Sequence, residues 1–127
     1  MALLKEKINP NKKYVWFHVA SLGEYEQGLP VMEALKKEQP ELGIVLTFFS
    51  PSGYEIRKNN TIADVTLYLP LDTKANAKRF LDLVKPVQAF FIKYEFWPNY
   101  LTELKKRNVP TFLISGIFRE NQLFFKP

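Results

Sequence analysis

Five short apolar runs recur along the chain, at Tyr14–Ala20, Ile44–Phe49, Val65–Leu69, Gln88–Ile92 and Thr111–Ile114. The second, Ile-Val-Leu-Thr-Phe-Phe, has no polar alternation, the mark of a strand buried on both faces. Helix-period segments separate the runs. Glu24 to Glu38 carries Leu29, Met32 and Leu35 at spacings of three. The corner Ser50-Pro51-Ser52-Gly53 precedes a short helix to about Lys58. Asp72 or Thr73 caps a helix with Ala77, Phe80, Leu81 and Val84 at i, i+3, i+4 and i+7, and Pro98 opens another to Arg107 with Leu101 and Leu104 inward. Strands alternating with helices predict an α/β fold, a parallel sheet covered on both faces. Right-handed crossovers make it Rossmann-like and doubly wound, five strands in the order 3-2-1-4-5.

At 127 residues the chain has room for one domain, residues 1–127, with one core. A hydrophobic fraction of 46%, with 11 Phe, 6 Tyr and 2 Trp, excludes disorder as a general description. With no cysteine and a single histidine, thiolate and multi-histidine metal sites are excluded. The net charge of +5 suits an anionic partner. Lysines cluster at Lys5, Lys7, Lys12 and Lys13, and again at Lys36-Lys37 and Lys105-Lys106-Arg107. The last two groups fall at helix C-termini, where the dipole favours cations without any ligand. No apolar run approaches the ~20 residues of a membrane span, and no signal peptide is present. Met1 to Leu4 reads as the stub of a longer N-terminus, and the end soon after the fifth strand reads as a cut.

The corner after the first run concentrates the chemistry. Ser21-x-x-Glu24 has the spacing of a capping box, hydroxyl to the Glu24 amide and carboxylate back toward the Ser21 amide. Pro30 argues that regular helix begins nearer Gly28 than Glu24. Open α/β sheets bind ligands outside the carboxyl ends of their strands, so Ser21, Gly23 and Glu24 are expected on the rim of that crevice. Glu24 can be a capping acid, or a carboxylate held ionised as general base or ligand acceptor. Gly23 allows either close backbone approach by a ligand or a tight corner. Ser50, Ser52 and Gly53 suit a phosphate or carboxylate cradle and equally suit an ordinary turn. Glu95 can orient a sugar hydroxyl with Trp97 stacked on the ring, or be a helix-start acid beside a core tryptophan. His18, on an apolar strand, is expected to be a satisfied core imidazole. Dinucleotide and P-loop fingerprints are absent, and no basic aromatic groove points to nucleic acid.

Three stretches carry a family resemblance: Trp16-Phe17-His18-Val19-Ala20-Ser21-Leu22-Gly23-Glu24, Leu69-Pro70-Leu71-Asp72 and Glu95-Phe96-Trp97-Pro98-Asn99. From about Tyr14 to Ser115 the chain resembles the N-terminal domain of the 3-deoxy-D-manno-octulosonic acid (Kdo) transferases. The resemblance implies the acceptor-side half of a two-domain GT-B glycosyltransferase of lipopolysaccharide assembly. Such an enzyme moves Kdo from CMP-Kdo to the lipid A precursor with inversion, on the cytoplasmic face of the inner membrane of Gram-negative bacteria. It needs no metal and no cofactor beyond its donor. Glu24 then maps onto the proposed general base and Glu95 onto a second active-site acid. The CMP-binding C-terminal domain and the membrane segment are missing from this stretch, so the isolated domain is expected to be soluble and inactive. Lys93 stands where many members have an acid, and Ile117 where many have an arginine, departures that bear on donor contacts. Two alternatives stay open: a non-catalytic flavodoxin-like binding module, and the N-terminal half of another GT-B glycosyltransferase.

Overall fold

Five strands, β1 (Tyr14–Val19), β2 (Gly43–Phe48), β3 (Val65–Tyr68), β4 (Gln88–Ile92) and β5 (Thr111–Ile114), pair all-parallel in the order β3-β2-β1-β4-β5. This is the predicted α/β topology, with strand bounds within a residue of those expected. The computed structural model describes residues 2–49, 54, 61–92 and 97–114. The expected helix to Lys58, and with it Ser50, Ser52, Gly53, Lys93, Glu95 and Ile117, lie outside the described residues. Among the described residues four helices flank the sheet: α1 (Ala2–Lys7), α2 (Leu22–Glu38), α3 (Lys74–Val84) and α4 (Pro98–Lys106). None of these described helices is long and apolar enough to cross a membrane.

Strand alternation divides the core in two. Tyr14 and Trp16 point to one face, with Leu4 of α1, Ala77, Phe80, Leu81 and Val84 of α3, and Tyr100 and Leu104 of α4. Val15, Phe17 and Val19 point to the other, under Tyr25, Val31 and Met32 of α2. All six residues of β1 and all six of β2 are buried, as strands covered on both sides must be. Trp16 is the hub of the first face, with ring centroids 4.8 Å from Phe80, 5.2 Å from Phe91 and 5.7 Å from Tyr100.

Two local expectations are corrected, and a choice between two caps is decided. Helix α2 starts at Leu22, directly after its cap, and runs through Pro30. Pro30 stands on the exposed side together with Glu26, the residue whose carbonyl it cannot bond, so water rather than the core meets the break. The buried stripe of α2 is Tyr25, Gly28, Val31 and Met32, with Leu29 and Leu35 only partly covered. Gly28 lets the helix lie close on β4: a Cβ there would stand 3.1 Å from the Ile92 side chain. At α3, Thr73 is the cap, its hydroxyl accepting from the Asn76 amide at 3.1 Å, and Asp72 is left for another task.

The amino ends of the strands are tied by polar contacts. Asp64 accepts from the Ile44 amide at 2.7 Å and sits 3.7 Å from the Lys12 ammonium and 3.6 Å from that of Lys36. On the helical layer Arg107 bridges α3 and α4, bonding Asp82 at 2.7 Å and Glu103 at 3.0 Å.

Candidate functional site

Since every strand runs the same way, β1, β2 and β4 end on one edge of the sheet. At the end of β1, Ser21 is extended (φ −148°, ψ 174°), and its hydroxyl accepts from the Glu24 amide at 3.4 Å. The Glu24 carboxylate reaches one residue further back than expected, accepting from the Ala20 amide at 2.7 Å. Ala20 lies just past the β1 ladder, so its amide needs an acceptor that no neighbouring strand supplies. The result is a carboxylate held at the start of α2, only 8% exposed and oriented by the strand it follows. Gly23 is exposed, and among the described residues a Cβ built on it would meet nothing nearer than the Ser21 hydroxyl at 3.8 Å. Among the described residues neither packing nor backbone strain demands glycine there.

Trp97 crosses the same edge from the start of α4. Its ring stands edge-on to His18, centroids 4.8 Å apart, and to Phe49 at 5.6 Å. With 7% exposure it has a core position, whereas Phe49 is 58% exposed. The aromatic face offered to solvent here is thus Phe49, which sequence reasoning passed over because it closed an apolar run.

His18 is fully buried. Its Nδ1 lies 2.8 Å from the Thr47 hydroxyl, which also accepts from Trp16 Nε1 at 2.9 Å. Burial pushes its pKa down to about 3, against the opposing effect of hydrogen bonding to Thr47, so the ring is neutral at pH 7. It is only half satisfied, contrary to expectation, because Nε2 has no partner among the described residues. Trp97 Nε1 is unpartnered as well.

Asp72 joins the second and third of the stretches singled out above. Its carboxylate accepts from the Asn99 amide at 3.1 Å and the Tyr100 amide at 3.3 Å, so it caps α4 from the preceding loop. The Asn99 side chain donates back to the Asp72 carbonyl at 3.0 Å, and the Tyr100 hydroxyl donates to the Pro70 carbonyl at 2.8 Å. Burial, and then the charge of Asp72, raise the Tyr100 phenol pKa well above its usual value. Among the described residues no three acidic or histidine side chains converge as metal ligands.

Over residues 1–124 the chain matches the family model of 3-deoxy-D-manno-octulosonic-acid transferase (Kdo transferase). The chain belongs to the Kdo transferase family. It is 37% identical over 113 residues to the 3-deoxy-D-manno-octulosonic acid transferase of Aquifex aeolicus, an alignment covering 88% of this chain and 30% of that protein. With the transferase of Haemophilus influenzae it shares 35% identity over 103 residues, 80% of this chain and 24% of the relative. A probable mitochondrial transferase of Arabidopsis thaliana is 30% identical over 110 residues, 86% of this chain and 25% of that protein. The chain therefore spans about a quarter to a third of the length of these curated relatives. Membership sets aside the reading as half of an unrelated glycosyltransferase. In this Kdo transferase chain the structure brings Ser21, Gly23, Glu24 and Trp97 to one edge.

Proposed function

We propose that this chain is the N-terminal, acceptor-side domain of an inverting glycosyltransferase that transfers Kdo from CMP-Kdo to the lipid A precursor in lipopolysaccharide assembly. The observation that carries the reading is the Glu24 carboxylate, buried at the carboxyl edge and aimed by the Ala20 amide, in a chain of the Kdo transferase family. In the transfer, an acceptor hydroxyl attacks the anomeric carbon of Kdo from the face opposite CMP. The new carbon–oxygen bond forms as the bond to the CMP phosphate breaks, and Glu24 takes the hydroxyl proton. The lack of a side chain at Gly23 lets the acceptor come close to the backbone, and exposed Phe49 supplies an apolar contact beside it. Glu95 is the second active-site acid of the proposal, with Ser21, Ser50, Ser52 and Gly53 around the sugar, while Trp97, expected to stack on the ring, instead supports the edge from its core position. Donor contacts come from a C-terminal domain beyond this stretch, and the complete enzyme works at the cytoplasmic face of the inner membrane.

Glu24→Gln in the full-length enzyme tests the assignment. It keeps the shape and an oxygen acceptor for the Ala20 amide but removes the base. Initial rates of Kdo transfer are expected to fall roughly 10²- to 10⁴-fold with little change in melting temperature. Near wild-type rates in a folded variant would remove Glu24 as the base.

A further inference from the structure

The amino edge of the sheet, opposite Glu24, carries two adjoining cavities. One, of about 500 Å³, is lined by Lys5, Lys12, Lys13 and Lys85, and Asp82 is the sole acid in its wall. The other, of about 770 Å³, shares Asn9, Lys12 and Lys13 with it. Of the acids nearby, Asp82 lies 2.7 Å from Arg107 and Asp64 is shared by Lys12 and Lys36, while Glu41 lines the larger cavity. Among the described residues no carboxylate pairs with Lys5, Lys13 or Lys85. Lys85 is also held at φ 48°, ψ 56°, a left-handed conformation that glycine adopts freely and a lysine does not. The turn that presents Lys12 and Lys13 is stitched in place, with the Asn9 amide donating to the Tyr14 hydroxyl at 3.0 Å and the Asn11 amide to the Asn9 side chain at 2.9 Å.

We propose that this amino-edge cavity binds a phosphoryl group, at a site separate from the carboxyl edge. Three uncompensated ammonium groups on a preformed frame suit a multiply charged anion, because a single carboxylate would leave most of that charge unmatched. The phosphoryl group can belong to a soluble phosphate compound or to a lipid headgroup.

The test uses the full-length protein at about 0.15 M salt, with pyrophosphate titrated calorimetrically. In parallel, vesicles of phosphatidylcholine with or without phosphatidylglycerol are co-sedimented with the protein. Lys13→Gln and Lys85→Gly are each expected to weaken binding roughly fivefold, the effect of one unit charge about 4 Å away in water. Lys85→Gly is also expected to hold or raise the melting temperature, since glycine relieves the left-handed backbone. Loss of pyrophosphate binding in these variants supports a soluble phosphate ligand, and loss confined to phosphatidylglycerol vesicles supports a headgroup. No binding of either probe, or binding that neither substitution alters, overturns the proposal.

Discussion

Asp72 caps a helix that is not its own: its carboxylate accepts the Asn99 amide at 3.1 Å across a separation of 27 residues, and Asn99 answers with its side chain on the Asp72 carbonyl. This reciprocal pair fastens the loop after β3 to the start of α4. Asp72→Ala is expected to cost about 1 to 2 kcal/mol of stability, as loss of a helix cap does. Asp72→Asn, which keeps an oxygen acceptor, is expected to retain most of it. Urea unfolding of both variants, followed by tryptophan fluorescence, checks the difference; equal losses would show that the negative charge, not the acceptor oxygen, holds the cap.

Gly23→Ala separates local structure from ligand approach. Among the described residues the added methyl meets only the Ser21 hydroxyl at 3.8 Å, and alanine favours helix over glycine by up to about 1 kcal/mol, so the melting temperature is expected to stay or rise. If the acceptor passes close to this backbone, transfer by the full-length enzyme falls roughly 10- to 100-fold. An unchanged rate would place the acceptor elsewhere.

The buried, neutral His18 makes stability depend on pH. Its folded pKa of about 3 lies below the ordinary 6.5, so between those values the unfolded chain binds the extra proton. The contribution is complete above about pH 6.5 and is lost progressively as pH falls toward 3. Between pH 6.5 and about 5 the loss is about 2 kcal/mol, before most carboxylates titrate. Thermal melts across this window check it. His18→Gln, which removes the chain's single histidine, is expected to flatten the profile.

Two glycines should respond unequally to alanine. At Gly43 the new Cβ would stand 2.5 Å from the Tyr14 ring, which is itself tied to the Asn9 amide, so the ring must move. A loss of about 1 to 3 kcal/mol is expected. At Gly28 the contact is the flexible end of Ile92 at 3.1 Å, and gain in helix propensity offsets the crowding. Gly28→Ala is therefore expected to be near neutral. Urea midpoints of the two variants decide the matter.

Where order is local, it was legible. β4 and β5 were read to the residue because Pro86 and Pro110 punctuate their starts, and Ala77, Phe80, Leu81 and Val84 all turn inward on α3 as their period requires. The corner at Ser21 and Glu24 was legible for the same reason, since a capping box spans only four residues. Asp72 and Thr73 are equally good caps for the nearest helix in the linear text, which holds nothing to link Asp72 to Asn99. Helix α1 has neither a cap nor a period long enough to register, and Leu4 fixes it through contacts with the distant Tyr14 and Trp16 face. Phe49 and the unpartnered nitrogen of His18 depend on how strands end together in space, which spacing along one strand does not carry.

The place of β1 in the middle of the sheet sets a timetable for the growing chain. β1, β2 and β3 are all made by Tyr68 and make up one side of the sheet, while β4 and β5 arrive later to extend the other flank. Trp97 belongs to the late half yet rests on His18 and Phe49 of the early one. Its fluorescence during refolding therefore marks the moment the two halves close, and the edge that carries Glu24 is finished only then.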